Sequence, residues 1–264
     1  KGEEPFKPIF GCEMYVARRS MHDKEKDKHD NSGYHLIVLA KNYNGYKNLI
    51  KLVSHAWVDG YYYKPRTDRE ELEKYHEDLI VCSACIAGEV PNKIIRGDIE
   101  GAREACEWYH RVFGDDYYLE LQRHEVKDPT LVANREAYPL QQKANKVLMQ
   151  FAKEYGVKLV CTNDCHFEDK ETAEAHDHLL CLSTNEDLDD PKRMRYSKQE
   201  WFKTRQEMNE VFSDVPEAMA NTLEILDKIE TYSIDHGPIM PFFPIPESFG
   251  TEEEWEKKFT EADL

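Results

Sequence analysis

No run of eighteen apolar residues occurs in this chain, so the sequence offers no helix able to cross a bilayer. Its first residues, Lys1-Gly2-Glu3-Glu4-Pro5, lack the apolar stretch of a secretory signal, and no initiator Met precedes them. Cysteine is sparse, seven in 264 residues. Without a leader, that count argues against a disulfide framework and points to the reducing cytoplasm, where thiols stay available for metal or for packing. A Gly-rich phosphate loop and a Gly-x-Ser-x-Gly elbow are both missing, which removes two common routes to hydrolysis. Positive charge is also short, 35 Lys and Arg against 52 Asp and Glu, a net charge of −17. Nucleic-acid affinity draws mostly on Lys and Arg against phosphate, so this chain by itself should hold DNA poorly. Either nucleic acid is not its partner, or other domains grip the DNA while carboxylates with divalent metals supply local chemistry here.

What is present is an ordinary mixture, 40% apolar and 33% charged, enough to bury the core of one large domain or two modest ones. Short apolar runs at Ile9–Phe10, Met14–Val16, Leu36–Ala40, Leu79–Cys82, Tyr117–Leu121 and Lys158–Cys161 predict strands. Between and after them, amphipathic patterns predict helices over Asn48–Val58, Asp68–Tyr75, Ile99–Phe113, Leu131–Tyr155, Gln199–Phe212 and Glu217–Ile229. Thr67 with Glu70, and Ser197 with Glu200, have capping-box spacing. Gly114 and Gly156 fit helix stops, and Pro139 predicts a kink or break in the longest helix. Strand–helix alternation implies a parallel α/β architecture whose chemistry gathers at the C-terminal ends of strands. The charged stretch Arg18–Gly33, with His22 and His29, reads as a solvated insertion. Pro238 to Pro246 reads as a linker, and Asp187-Leu188-Asp189-Asp190 as a surface turn.

The sharpest candidate site is Thr162-Asn163-Asp164-Cys165-His166, just past an apolar run. Asp-x-His in extended chain points two ligands to one side, and an Asn/Asp turn with a satisfied histidine is the alternative. Glu13 follows Gly11 near another run and can bridge cations, or be a surface charge. Cys82-x-x-Cys85 lacks a well-spaced second pair, since Cys161-x₃-Cys165 is a poor match to a zinc knuckle. Cys85 therefore reads as one ligand of a mixed site and Cys82 as core. His124 closes its strand at the favoured end, whereas His35 opens its strand and by the same rule should lie far from any site.

In succession these segments resemble the polymerase-and-histidinol-phosphatase (PHP) domain of bacterial DNA polymerase III alpha subunits. The matching stretches are IFGCEMYVA (9–17), HLIVLAKNYNGYKNLIKLVS (35–54), YYYKPRTD (61–68), LIVCSACIAGEV (79–90), YYLELQRH (117–124) and LVCTNDCHF (159–167). They continue through AEAHDHLLCL (173–182), LDDPKRMR (188–195) and QEMNEVFSDVPEAMANTLEI (206–225). The resemblance implies a distorted (β/α) barrel that lacks its first strands, with the helices after it, over 1–232, and then a linker and the start of the polymerase palm region over 233–264. It implies divalent metals, zinc foremost with manganese or magnesium as alternatives, held by Glu13, His35, Cys85, Asp164 and His166, and a place for His124 on substrate phosphate. Glu13, Asp164 and His166 would carry catalysis. The family's His-x-His and Asp-His-Gly segments have no counterpart here, so the isolated chain is expected to be inactive. In the whole polymerase the implied role is 3′–5′ exonuclease proofreading during DNA replication, with DNA and other replicase subunits as partners. The alternative role is docking of a separate proofreading subunit.

Overall fold

A computed structural model describes residues 6–126 and 132–242, together with 244, 246, 248 and 250–257. Expectations for Lys1–Pro5, Leu131 and parts of 238–246 fall outside the described residues. The chain divides into two compact units, Lys1–Tyr232 and Ser233–Leu264. In the smaller unit a short helix, Glu252–Glu256, starts at a capping box between Thr251 and Glu254.

The larger unit is a mixed α/β fold consistent with a PHP-type, barrel-like arrangement. Among the described residues its strands form one six-stranded sheet. They are β1 (Gly11–Ala17), β2 (Gly33–Ala40), β3 (Arg66–Thr67), β4 (Leu79–Cys82), β5 (Tyr117–Leu121) and β6 (Lys158–Cys161), in spatial order β3-β1-β2-β4-β5-β6. β4, β5 and β6 run parallel, while β2 is antiparallel to both of its neighbours, β1 and β4. That reversal matters below. It brings the beginning of β2 to the same end of the sheet as the C-terminus of β4.

The helices are α1 (Tyr43–Val58), α2 (Arg69–Lys74), α3 (Glu89–Arg96), α4 (Ile99–Phe113), α5 (Val132–Tyr155), α6 (Ala173–Thr184), α7 (Arg205–Val211) and α8 (Pro216–Lys228). Their starts are set by local chemistry. Asn42 accepts from the Gly45 N–H at 3.0 Å, and Asp98 from the Gly101 N–H at 3.0 Å. α4 then buries Ala102, Ala105, Cys106, Tyr109 and Phe113, one face at helical spacing, and stops at Gly114, whose φ of +55° suits glycine.

Side chains alternate across the sheet, so each face has its own core. One face carries Met14, Leu36, Val38, Val81, Leu119 and their neighbours under the larger helices. On the other, Ile80, Cys82, Tyr118 and Val160 pack with Ile225 and Ile229 of α8 and its end. Covering on both sides explains why β4 and β5 read as continuous apolar runs. Glu120 is the exception within them.

Several expectations need correction. Ile9–Phe10 is not a strand; β1 starts at Gly11, so Glu13 lies inside it rather than beyond its end. The cap of α2 is Asp68, accepting from the Glu71 N–H at 3.1 Å, and not Thr67. Ser197 and Glu200 do bond like a capping pair, Ser197 N and Oγ donating to Glu200 Oε1 at 3.0 and 2.6 Å, yet they close a turn, and the helix begins at Arg205 behind Thr204. α5 passes through Pro139 unbroken. The two-residue β3 and the eight-residue α3 were not expected, both being shorter than the window over which periodicity is read.

The insertion 18–33 is not simply solvated. Arg66, fully buried on β3, donates to the carbonyls of Met21 (2.7 Å), Asp23 (3.0 Å), Asp30 (2.7 Å) and Gly60 (3.0 Å). One guanidinium thereby gathers the insertion onto the sheet, while His22 and His29 stay exposed.

Candidate metal and phosphate site

The site lies on the α8-bearing face, toward the end of the sheet where β4, β5 and β6 finish. Glu13 faces Ile37 across β1–β2, and Tyr15 faces His35, so Glu13 and His35 share a face two residues apart in register. Glu13 Oε1 lies 2.7 Å from His35 Nδ1. The same nitrogen lies 3.7 Å from Cys85 Sγ, on the loop after β4. The donor atoms of Glu13, His35 and Cys85 all fall within 4.8 Å of one another, so the three can share one ion. The loop holds its thiol in place through Ala84, with a φ of +61°, and through His35 N–H donating to the Ala87 carbonyl at 3.1 Å. Hydrogen bonding to Cys85 and then to Glu13 raises the His35 pKa to about 10. Cys82 is buried in the core instead, and burial pushes its thiol well up.

Asp164 and His166 form a second group on the loop after β6. Asp164 takes a φ of +47°, which breaks the simple alternation expected there, and its Oδ1 lies 3.4 Å from His166 Nε2. Burial would raise the Asp164 carboxyl, but the His166 hydrogen bond and charge outweigh it and leave it below the usual range. The partner effect is reciprocal, His166 being raised chiefly by Asp164. Both groups line one cavity of about 470 Å³.

His124 lines that cavity too, but its ring offers no free nitrogen. Nδ1 lies 3.0 Å from Gln141 Nε2 and Nε2 lies 3.1 Å from the Asn163 carbonyl. Burial lowers its pKa against the opposing charge of Glu200, whose Oε1 lies 3.3 Å from Nδ1. Its geometry suits holding the Asn163–Asp164 turn in place better than direct contact with phosphate.

The PHP domain family matches residues 1–124. Over 247 residues, 93% of this chain and 20% of the relative, the sequence is 42% identical to DNA polymerase III subunit alpha of Borreliella burgdorferi. Residues 1–124 thus carry the PHP family's match, and over more than nine-tenths of its length the chain is similar to DNA polymerase III alpha subunits. It is also 37% identical over 254 residues (96% of the chain, 21% of the relative) to the Treponema pallidum protein of that name. With the Thermus aquaticus protein it shares 37% over 250 residues, 91% of the chain and 19% of the relative. The chain thus spans about a fifth of the length of these relatives.

PHP domains are metal-dependent, and the carboxylate oxygen of Glu13, the imidazole nitrogen of His35 and the sulfur of Cys85 are a donor set that could hold a zinc-like ion. Two carboxylates of this PHP site escaped the sequence reading. Glu120 of β5 is buried, with Oε1 accepting from the Ala84 N–H at 2.8 Å and Oε2 from Thr162 Oγ1 at 2.6 Å. It ties the loop bearing Cys85 to the one bearing Asp164, and burial raises its pKa to about 7. Glu200 is buried beside His124, and its backbone carbonyl accepts from the His166 N–H at 2.8 Å. The only sequence signal for Glu120 was a charged residue inside an otherwise apolar strand; for Glu200 it was the capping-box spacing. Among the described residues no helix is long and apolar enough to cross a membrane, and all seven cysteines are free thiols.

Proposed function

We propose that this chain is the metal-dependent phosphoesterase part of a replicative DNA polymerase, serving 3′–5′ exonuclease proofreading in the whole protein. The observation that carries the reading is the convergence of Glu13, His35 and Cys85, with Asp164 and His166 lining the same cavity. Bound divalent ions, zinc foremost, would supply Lewis acidity toward a phosphodiester and a water of lowered pKa. The chain's own residues do the rest. Glu13, His35 and Cys85 hold one position and Asp164 and His166 the neighbouring one. His124, Glu120 and Glu200 fix the loops that present them. DNA and other replicase subunits are the proposed partners of the whole protein, since a net charge of −17 gives this chain little grip of its own on a polyanion. A docking role for a separate proofreading subunit would not require this donor set.

The test uses the full-length polymerase. A chelator should stop degradation of a primer 3′ end, and Asp164→Asn should abolish it while leaving polymerisation largely intact. Unchanged exonuclease activity in Asp164→Asn would sink the assignment.

A further inference from the structure

The donor groups and Glu200 make the cavity acidic, yet a phosphodiester brings further negative charge. Among the described residues lining the cavity, Arg195 is the only Lys or Arg. It sits on the segment between α6 and α7, which is pinned on both sides. Arg193 makes a two-pronged contact with Asp177 of α6 at 2.6 and 2.7 Å, and Ser197 closes on Glu200. Between the pins, Tyr196 lies against the His166 ring with centroids 4.4 Å apart. Arg195 therefore does not hold this segment alone.

The Arg195 guanidinium is only partly used. One terminal nitrogen donates to the Asp190 carbonyl at 2.8 Å, which orients the plane, whereas Nε is buried without a hydrogen-bond partner. Nε itself is enclosed by protein, but the Arg195 side chain lines the cavity, and a charged donor there suits an acceptor supplied from outside. A phosphate oxygen is the acceptor that matches a guanidinium edge in charge and shape.

We propose that Arg195 binds a non-bridging oxygen of a phosphate or phosphodiester group held in this cavity, making it a substrate-binding residue of the site. The inference rests on the phosphoesterase reading above and adds the group that receives the anion. It also accounts for how an acidic cavity accepts an anion: the bound metals and Arg195 together offset the carboxylates.

The experiment titrates inorganic phosphate into the full 264-residue chain by calorimetry, with metal content measured on the same samples. Arg195→Ala should keep the metal content and melting temperature of the parent chain while weakening phosphate binding at least about tenfold, the loss expected of a charge-assisted hydrogen bond. Arg195→Lys should recover part of that loss. The proposal is overturned if Arg195→Ala keeps parental phosphate affinity, or if the parent chain binds no phosphate. It is overturned too if both variants shed metal along with phosphate, which would make the arginine a structural residue. If the parent chain holds no metal, the phosphoesterase reading fails separately. The same titration of the metal-free parent and variants then still decides for or against Arg195.

Discussion

His35 Nδ1 sits between two donors, 2.7 Å from Glu13 Oε1 and 3.7 Å from Cys85 Sγ. The first contact crosses a diagonal of the antiparallel β1–β2 pair, and the second crosses from the start of β2 to the loop after β4. Because Asp164 and His166 stand as a separate pair, the two groups should respond separately to substitution. Cys85→Ala is expected to empty one metal position, and Asp164→Asn to leave that position filled. Metal-to-protein ratios from mass spectrometry check this; equal loss in both variants would refute the grouping.

Gly88→Ala should damage the site without touching a donor. A Cβ there would meet the Ser83 carbonyl oxygen at 1.9 Å, a backbone atom that cannot swing away, so the loop bearing Cys85 must move. The expected cost is about 1–3 kcal/mol in urea unfolding, with weakened metal binding. Parental stability and parental metal affinity together would contradict it.

Glu120 gives a pH dependence of definite sign. Burial raises its carboxyl from 4.5 to about 7, so between those values the folded chain binds more protons than the unfolded one. Its contribution to stability is complete below about pH 4.5 and is lost as pH rises through 7, by on the order of 3 kcal/mol. In metal-stripped protein, Glu120→Gln should flatten this part of the pH–stability curve. Denaturant midpoints from pH 4.5 to 8 check it, and an unchanged slope would count against the assignment.

Arg66→Met should release the 18–33 insertion. Four backbone carbonyls lose their partner at once, for an expected cost of about 3 kcal/mol or more. Limited proteolysis should then cut near His22 and Lys26 well before the rest of the chain. Resistance equal to the parent chain would mean the insertion is held by other contacts.

Much of this was legible in the sequence because periodicity and breakers carried it. β4, β5, β6 and α4 have the expected bounds, since each combines a clear pattern with a strong stop such as Gly114. Strand direction was not legible. A strand-end rule built for parallel sheets placed His35 away from the site, and only the pairing of β2 with β1 and β4 shows why it belongs there. The resemblance to PHP domains named His35 where the residue pattern alone could not. Glu120, Glu200 and Arg195 were not singled out as site residues because their roles there come from contacts across 34 or more residues or from a cavity wall, which no local window contains.

The reversed strand β2 also bears on the order of events during folding. Glu13, His35 and Cys85 are well separated along the chain: the first two meet only once β1 pairs with β2, and Cys85 joins them only once β4 pairs with β2. An unfolded chain thus presents no local chelate for the ion that Glu13, His35 and Cys85 would share, in contrast to the short loops that let small zinc modules fold upon their metal. Closing those long loops has to be driven by apolar packing within the sheet. Metal uptake then becomes a late event, and its kinetics report when the central three strands have found their register.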